Sequence, residues 1–343
     1  MTAYLVRRTL LAAFTLFVIS FVSFLITQIP EGDIVDEYIL AIHETRGLHG
    51  RTDFEMDALR ELWGLNDPLL QQWSRWIWGI VTEGDFGFAY LNTTGGSSGQ
   101  PVRDIITSRL PYTIYLSIFT VITTWVFSIP IGIYSAVRQN TLGDYAFTFL
   151  GFTGLAVPDF LLGLVSMYVA YAYFNHSVGG IFSGEYLNAP WSVGRVIDML
   201  QHLIIPAIVL GTSGTAGLIR ILRNNLLDEL NRPYVVTATA KGMPAWRVIV
   251  KYPVRVAINP FISGIGSMLP GMVRASAIVS IVLSLPTLGP IFLEGIAKQD
   301  AMLSGSIILM LTSLSVVGVL ISDVLLAVVD PRIKFTGSGR GGD

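Results

Sequence analysis

Ionisable residues inside apolar stretches are the first candidates for chemistry in this sequence. Asp159, Arg274 and Asp323 each stand within a long apolar run. A charge in such surroundings is costly, so it is kept for a partner charge, a ligand or a path through the protein. We expect Arg274 either to attract a carboxylate on a ligand that passes through the protein or to form an ion pair with Asp159 or Asp323.

A second candidate is Ser213 in the stretch "GTSG", which resembles the nucleophile motif of rhomboid-type intramembrane serine proteases. A serine nucleophile needs a histidine base within hydrogen-bond reach. A rhomboid carries its base in a span that follows the serine, whereas every histidine here precedes Ser213. The four are His43, His49, His176 and His202. With no cysteine in the chain, disulfides, thiolate metal sites and cysteine nucleophiles are excluded as well.

The elements that position these residues are membrane-spanning helices. Of the 343 residues, 52% are hydrophobic and only 13% are charged, and the mean hydropathy is +0.61. Because about 20 apolar residues cross a bilayer as a helix, the sequence predicts an all-α polytopic membrane protein with six transmembrane helices. The apolar runs lie at 9–29, 111–137, 146–174, 203–221, 261–285 and 304–329.

The distribution of Lys and Arg predicts the orientation in the membrane. Cytoplasmic loops near span ends carry an excess of these residues, and an even number of spans puts both termini on that side. The long segment 30–108 holds thirteen acidic residues against five Arg, and long segments translocate largely regardless of charge. We therefore expect a multi-pass protein of the cell membrane with both termini in the cytoplasm and 30–108 outside.

The outer segment is too long to be a simple connector. The stretches "DALRELWGLNDPLLQQWSRWIWGIV" and "GQPVRDIITSRLP" have amphipathic spacing, which predicts short helices on or near the outer membrane face. Tryptophans are common at membrane interfaces. We expect four of them to anchor or pack this cap: Trp63, Trp73, Trp76 and Trp78.

A basic insert separates the fourth and fifth apolar runs. It reads "RPYVVTATAKGMPAWRVIVKYPVR" from Arg232 to Arg255. Pro233 suits a first helical position, Gly242 can take the left-handed conformation that ends a helix, and Pro244 can start a second helix that Pro253 stops. The punctuation predicts a short helix, a sharp turn and another short helix on the cytoplasmic side. Its small residues would let another protein approach closely.

This insert resembles the EAA loop of ABC importer permeases, in the form found in the dipeptide, oligopeptide and nickel permease family. That family's usual pattern runs close to "YVRTARAKGLSxxRVLxxHALRNALxP", against "YVVTATAKGMPAWRVIVKYPVRVAINP" here. The resemblance extends over nearly the whole chain. Further pieces occur in the family's order, from "MTAYLVRRTLL" and "IPEGD" through "RLPYTIYLS" and "SLPTLG" to "DPRIK".

The resemblance implies a set of partners. These are a second homologous permease subunit, two cytoplasmic ABC ATPases that bind ATP and Mg, an extracytoplasmic solute-binding protein and the lipid bilayer, with no nucleic acid. The chain contains no G-x-x-x-x-G-K-[ST] phosphate loop, so it is expected to be no enzyme and to carry no cofactor of its own. The resemblance assigns ATPase coupling to Thr237, Ala238, Ala240, Lys241, Gly242 and Trp246.

The sequence departs from the family pattern at several positions. Val236 and Thr239 stand where Arg is common, and Ser280 and Leu283 stand where Glu and Phe are frequent. The changes at Val236 and Thr239 argue against particular salt bridges to the ATPase but leave the helix-turn-helix shape intact. For the translocation path the sequence offers three candidates: Arg274, Ser280 and Asp159.

The expected organisation has four parts. A cytoplasmic N-terminus and first span occupy 1–29, the extracytoplasmic cap 30–108, the permease core 109–335 with a coupling loop at 223–259, and a flexible tail 336–343. A secondary carrier is the competing hypothesis, but no repeated hydropathy pattern relates the halves of the chain. The family transports dipeptides, oligopeptides, nickel chelates, glutathione and oligosaccharides, and this chain's sequence does not choose among them.

Overall fold

Most of the described part of the chain is α-helical. The computed structural model describes residues 2–28, 35, 53–62, 64–89, 100–174, 179–298 and 300–329. In its first half the helices are α1 Thr2–Thr27, α2 Asp53–Leu62, α3 Leu69–Glu83, α4 Val102–Val137, α5 Leu142–Ala156 and α6 Asp159–Phe174. In its second half they are α7 Val193–Leu230, α8 Pro233–Ala240, α9 Ala245–Lys251, α10 Pro253–Ala257, α11 Asn259–Val282, α12 Leu288–Ala297 and α13 Ala301–Val329.

Several helices are long and apolar enough to cross a membrane. In the described part of the chain, α1, α4, α7 and α13 qualify singly, and the bent pair α5–α6 qualifies as one broken span. With the bent pair counted as one span, these five elements match five of the six predicted runs. Helix α11 covers most of the remaining run, 261–285, and is 24 residues long. The count of six spans remains a prediction.

The third predicted run is broken and not one straight helix. Helices α5 and α6 meet at an angle of 102°. Val157, between them, is extended at φ −86° and ψ 126°, because a residue before proline avoids the helical region. Pro158 also has no N–H for the hydrogen bond that would continue α5. A proline inside an apolar helix is typical of a kink, and the structure shows a much sharper turn.

The chain divides into two compact units. The larger comprises Ile114–Pro286 and the chain from Val317 onward, and the smaller comprises Thr2–Thr113 with Thr287–Val316. Helices α4 and α13 each run from one unit into the other. Within the stretch predicted as a short outer helix, "GQPVRDIITSRLP", residues 102–111 form the first turns of the 36-residue α4. The amphipathic pattern and the apolar pattern thus belong to one continuous helix.

In the larger unit α5 packs closely on α7. A Cβ added at Gly151 would lie 3.5 Å from the Ala216 Cβ, and one at Gly154 would lie 2.6 Å from a Thr212 methyl group. Small residues let two helix backbones approach in this way. The two helices therefore form a tight pair whose separation depends on glycine.

In the smaller unit α3 packs beside α1. The Trp73 ring makes edge-on contacts with Phe17 and Phe21 at 5.3 and 5.4 Å, and its indole N–H donates to the Ser20 hydroxyl at 3.3 Å. These partners lie in the C-terminal half of α1, inside its membrane-crossing run. Two of the four predicted cap tryptophans, Trp73 and Trp76, are thus buried against a span.

The other two tryptophans differ from this pair. Trp78 is exposed, and Trp63 lies outside the described residues. A two-residue antiparallel ladder, β1 Phe88–Ala89 with β2 Gln100–Pro101, closes the segment before α4. The sequence did not predict this ladder, because two residues are too few to show an alternating pattern.

Candidate functional site

The insert between α7 and α11 begins with the eight-residue helix α8. Arg232 is extended at φ −70° and ψ 145°, and Pro233 takes the first helical position. Proline fits there because its missing N–H would have no partner in any case. The helix ends where the Gly242 N–H donates to the Thr239 carbonyl at 2.9 Å, with Gly242 in the left-handed region at φ +77°.

Helix α9 starts at Ala245, three residues after Gly242. Pro244 precedes it with an extended backbone, and its carbonyl accepts from the N–H groups of Arg247 and Val248 at 2.9 and 3.1 Å. Pro253 ends α9 as predicted, but it also opens a further five-residue helix, α10. We refer to α8, residues 241–244 and α9 together as the helix pair.

The helix pair has a small apolar interior. Val235 and Ala238 of α8 are buried against Val248 of α9, and Met243 and Tyr252 pack around them. Ala238 is only 6% exposed. The sequence grouped it with five other residues as a contact for a partner protein, but its side chain faces the neighbouring helix. Its small size sets how closely α8 approaches α9.

The other five predicted coupling residues are exposed on the helix pair. They are Thr237, Ala240, Lys241, Gly242 and Trp246. The Thr237 hydroxyl donates to the Pro233 carbonyl one turn earlier at 2.8 Å, which leaves its methyl group for outside contact. Trp246 is 64% exposed, with Val236 and Val250 also exposed. Apart from Lys241, these exposed residues are small or apolar, and they lie on a segment rich in Lys and Arg. Such a surface is typical of a contact with another protein.

Helix α10 fixes the helix pair to the core of the larger unit. Val254 and Ala257 of α10 are buried with Leu222 and Leu226 of α7 and with Phe261 at the start of α11. On α9, Ile249 packs against the same cluster, while its neighbour Val248 faces the interior of the helix pair. Adjacent residues of one helix therefore belong to both cores. A displacement of the helix pair would act directly on α7 and α11.

The junction between α7 and α8 is held by polar contacts. The Tyr234 hydroxyl donates to the Glu229 carboxylate, and the Arg232 guanidinium lies 3.5 Å from the same group. Glu229 lies in the last turn of α7. The helix pair is thus tied to the bundle from both of its ends.

A buried ion pair lies nearer the middle of α7, and sequence reasoning did not find it. The Arg223 guanidinium donates to both carboxylate oxygens of Asp144 at 3.1 and 3.0 Å. Asp144 is 2% exposed and also accepts from the Asn140 N–H at 3.0 Å. The only sequence signal was a lone carboxylate at the start of an apolar run.

The three translocation-path candidates lie on two helices that pack together, α6 and α11. Asp159 is the first residue of α6 and is half-buried. One turn further on, a Cβ at Gly163 would lie 3.8 Å from a methyl group of Val282 in α11. Ser280 is fully buried near the end of α11. Arg274 is on α11 too, but its side chain lies outside the described residues.

Among the residues that the structure describes, Ser213 has no histidine base. His202 and Ser213 lie 11 positions apart in α7, which separates them by about 16 Å along the helix axis. Hydrogen-bond reach is about 3 Å. The His202 ring nitrogen instead lies 2.8 Å from the Asp198 carbonyl, so the arrangement does not support a protease.

Sequence comparison decides what kind of protein carries this helix pair. Residues 128–335 match the family described as binding-protein-dependent transport system inner membrane component. Residues 1–117 match the description of that component's N-terminal part. The chain belongs to this family. As such an inner membrane component it is a multi-pass membrane protein of a transport system and not an enzyme.

Relatives of this inner membrane component align over its full length. The oligopeptide transport system permease protein AppB of Bacillus subtilis (strain 168) is 35% identical over 340 residues, which covers 98% of this chain and 100% of the relative. The dipeptide transport system permease protein DppB of Escherichia coli (strain K12) is 28% identical over 351 residues, covering 97% and 99%.

A solved structure shares the fold of this inner membrane component. It is the MetNI methionine ABC transporter in inward facing conformations, with a TM-score of 0.51 and 15% sequence identity. The match covers 66% of this chain and 96% of the other. At that identity the likeness concerns the fold alone.

Proposed function

We propose that this inner membrane component is one of two homologous permease subunits of an ATP-driven importer that takes up peptides. Family membership and the oligopeptide and dipeptide permeases among its relatives support this assignment. The proposed subunit has six spans with both termini in the cytoplasm. Its helix pair lies on the cytoplasmic side, where Lys and Arg accumulate.

The observation that carries the proposal is the exposed face of the helix pair. Thr237, Ala240, Lys241, Gly242 and Trp246 bind a groove of a cytoplasmic ATPase in this proposal, with Trp246 as the anchoring aromatic residue. Ala238 contributes indirectly, since it holds α8 against α9. Buried contacts between Val235, Ala238 and Val248 hold the two short helices together, which suits a docking element.

The contacts that anchor the helix pair also give a route by which movement of the ATPases reaches the spans. Two partner ATPases bind ATP and Mg, and their closure moves the docked helix pairs as rigid bodies. Val254 and Ala257 then carry the displacement to α7 and α11 through the buried cluster around Phe261. An extracytoplasmic solute-binding protein delivers the peptide from the other side of the membrane.

The path itself runs, in this proposal, along α6 and α11 past Asp159, Ser280 and Arg274. If Arg274 attracts the peptide carboxylate, Arg274→Gln lowers uptake of anionic peptides far more than it lowers the amount of protein. If Arg274 instead pairs with Asp159 or Asp323, the same change lowers both together. Uptake and immunoblot signal measured on the same cells separate these alternatives.

The absence of cysteine from the natural chain makes cross-linking a direct test. Single cysteines at Thr237 and Lys241 are expected to cross-link to a partner ATPase with a short bifunctional reagent. A cysteine at Gly184, which has open space around it and lies in the segment between α6 and α7, is the control and should not cross-link.

Peptide uptake by reconstituted complexes should require ATP. Uptake driven by a proton or sodium gradient without ATPases would support the carrier hypothesis instead.

A further inference from the structure

A cavity between α5 and α7 has a polar end and an apolar end. It has a volume of about 420 Å³, with Arg220, Arg223 and Asn224 lining it at one end and Phe152, Leu155 and Gly217 lining it at the other. Helices α5 and α7 run in opposite directions past each other, since Asp144 meets Arg223 while Gly154 meets Thr212. The cavity therefore extends over about three helical turns, or roughly 16 Å.

The polar end carries net positive charge. Arg220 and Arg223 line it with one carboxylate, Asp144, so two positive charges and one negative leave one in excess. The Asp144 carboxylate accepts hydrogen bonds from Arg223 at both of its oxygens. Arg220 is exposed and forms no ion pair in the part of the chain that the structure describes. A guanidinium in this position suits a phosphate group.

Gly217 is not explained by packing against the residues that the structure describes. Glycine inside a helix costs about 1 kcal/mol relative to alanine, and several glycines here make room for a neighbour. A Cβ at Gly217 would meet nothing within 4 Å. The space beside Gly217 is part of the cavity, and exposed apolar side chains, Phe152 and Leu155 among them, border it.

The depth of the polar end in the membrane suits contact with a lipid headgroup. Helix α7 has 38 residues, nearly twice the number that crosses the hydrocarbon core. Arg220 precedes its C-terminus by ten positions, about 15 Å. The predicted apolar run 203–221 ends beside Arg220, so we expect Arg220 near the boundary between hydrocarbon and headgroups and the apolar end of the cavity within the bilayer.

We propose that this cavity binds an anionic phospholipid, with its phosphate at Arg220 and Arg223 and an acyl chain beside Gly217. Basic pockets between transmembrane helices hold such headgroups in other membrane proteins. The bound lipid would fill the groove between α5 and α7 next to the segment that carries the helix pair. The proposal depends on membrane insertion but not on the peptide or the ATPases.

Lipid retention by the purified protein tests this site. Full-length protein in detergent, alone and in its assembled complex, is given phosphatidylglycerol or phosphatidylcholine with the same acyl chains, and bound lipid is counted by native mass spectrometry. We expect retention of phosphatidylglycerol but not of phosphatidylcholine. Arg220→Gln should weaken binding about five-fold, as expected for one basic residue at a membrane surface.

Two further variants keep the test selective. Gly217→Leu fills the apolar end without a backbone clash and should abolish retention. Arg232→Gln removes an exposed arginine outside the cavity and should leave phosphatidylglycerol retention unchanged. Unaltered gel-filtration and thermal unfolding profiles establish that each variant is folded. Equal retention by wild type, Arg220→Gln and Gly217→Leu would overturn the proposal.

Two other outcomes would also overturn it. Displacement of bound phosphatidylglycerol by millimolar inorganic phosphate would show that the polar end binds free phosphate and that the acyl chain adds nothing to the affinity. A cross-link from Gly217→Cys to the second permease subunit, with no lipid in the assembled complex, would show that a protein helix occupies the cavity. Because none of these measurements involves uptake, they fail or succeed independently of the proposed transport function.

Discussion

Arg223 and Asp144, 79 positions apart in the chain, are joined by two parallel hydrogen bonds of 3.1 and 3.0 Å. The arginine lies on α7 and the aspartate in the first turn of α5. The pair fixes the start of the broken span to the helix that leads into the helix pair. Its position makes it structural, since both groups are mostly enclosed.

Removing the charge of one partner in this ion pair should destabilise the protein strongly. Arg223→Gln leaves the Asp144 carboxylate buried without its counter-charge, at a cost of about 3–5 kcal/mol in the free energy of unfolding. Thermal unfolding in detergent measures the change. Arg75→Gln removes the exposed pair with Asp67 and should cost less than about 1 kcal/mol. Similar losses in the two variants would contradict a structural role for Arg223.

A second prediction concerns the turn of the helix pair. Gly242 has φ +77° and open space where a Cβ would stand, so Gly242→Ala is opposed by backbone strain alone. The cost is about 1–2 kcal/mol, and it should loosen α8 from α9 and lower peptide uptake.

Gly184 provides the matched control for this turn. It also has open space around it but no positive φ, so Gly184→Ala should leave uptake and unfolding unchanged. An equal effect of the two substitutions would show that the left-handed turn at Gly242 is unimportant.

The helix pair was predictable because its determinants are local. Pro233, Gly242 and Pro244 act on the backbone within a residue or two of themselves, and each does in the structure what its type predicts. The contact between Arg223 and Asp144 depends on how α5 folds back on α7, which no local pattern records. Pro158 marked the place of the break in the third run but not its angle of 102°.

Burial separates Ala238 from the other residues predicted to couple to the ATPase. The stretch from Thr237 to Ala240 consists of small residues, and composition alone does not show which of them faces outward. One turn of helix carries residues on every side. Ala238 faces α9, while Ala240 is exposed.

This difference gives a third prediction. Ala238→Leu overfills the interior of the helix pair and should cost about 1–3 kcal/mol. Ala240→Leu should leave unfolding within about 0.5 kcal/mol of wild type yet reduce co-purification of the ATPase, because the added side chain protrudes from the docking face. Unfolding and pull-down measured on both variants check this. Normal ATPase recovery with Ala240→Leu would remove Ala240 from the contact.

The fourth prediction separates docking from transmission. Phe261 is fully buried and stacks edge-on against Trp125 at 5.9 Å, within the cluster that joins α10 to α7 and α11. Phe261→Leu keeps most of the apolar volume, so the protein should fold with a loss of about 1–2 kcal/mol. The exposed face of the helix pair is unchanged, and the ATPase should therefore bind normally. A looser cluster transmits less of the displacement, so peptide uptake should fall several-fold per ATP hydrolysed.

Reconstituted complexes assayed for peptide uptake and for ATP hydrolysis give this ratio. The control is Leu311→Val, which shortens a buried side chain of α13 outside that cluster. A ratio that falls equally in both variants would mean that the loss reflects general destabilisation and not the link between the helix pair and the spans.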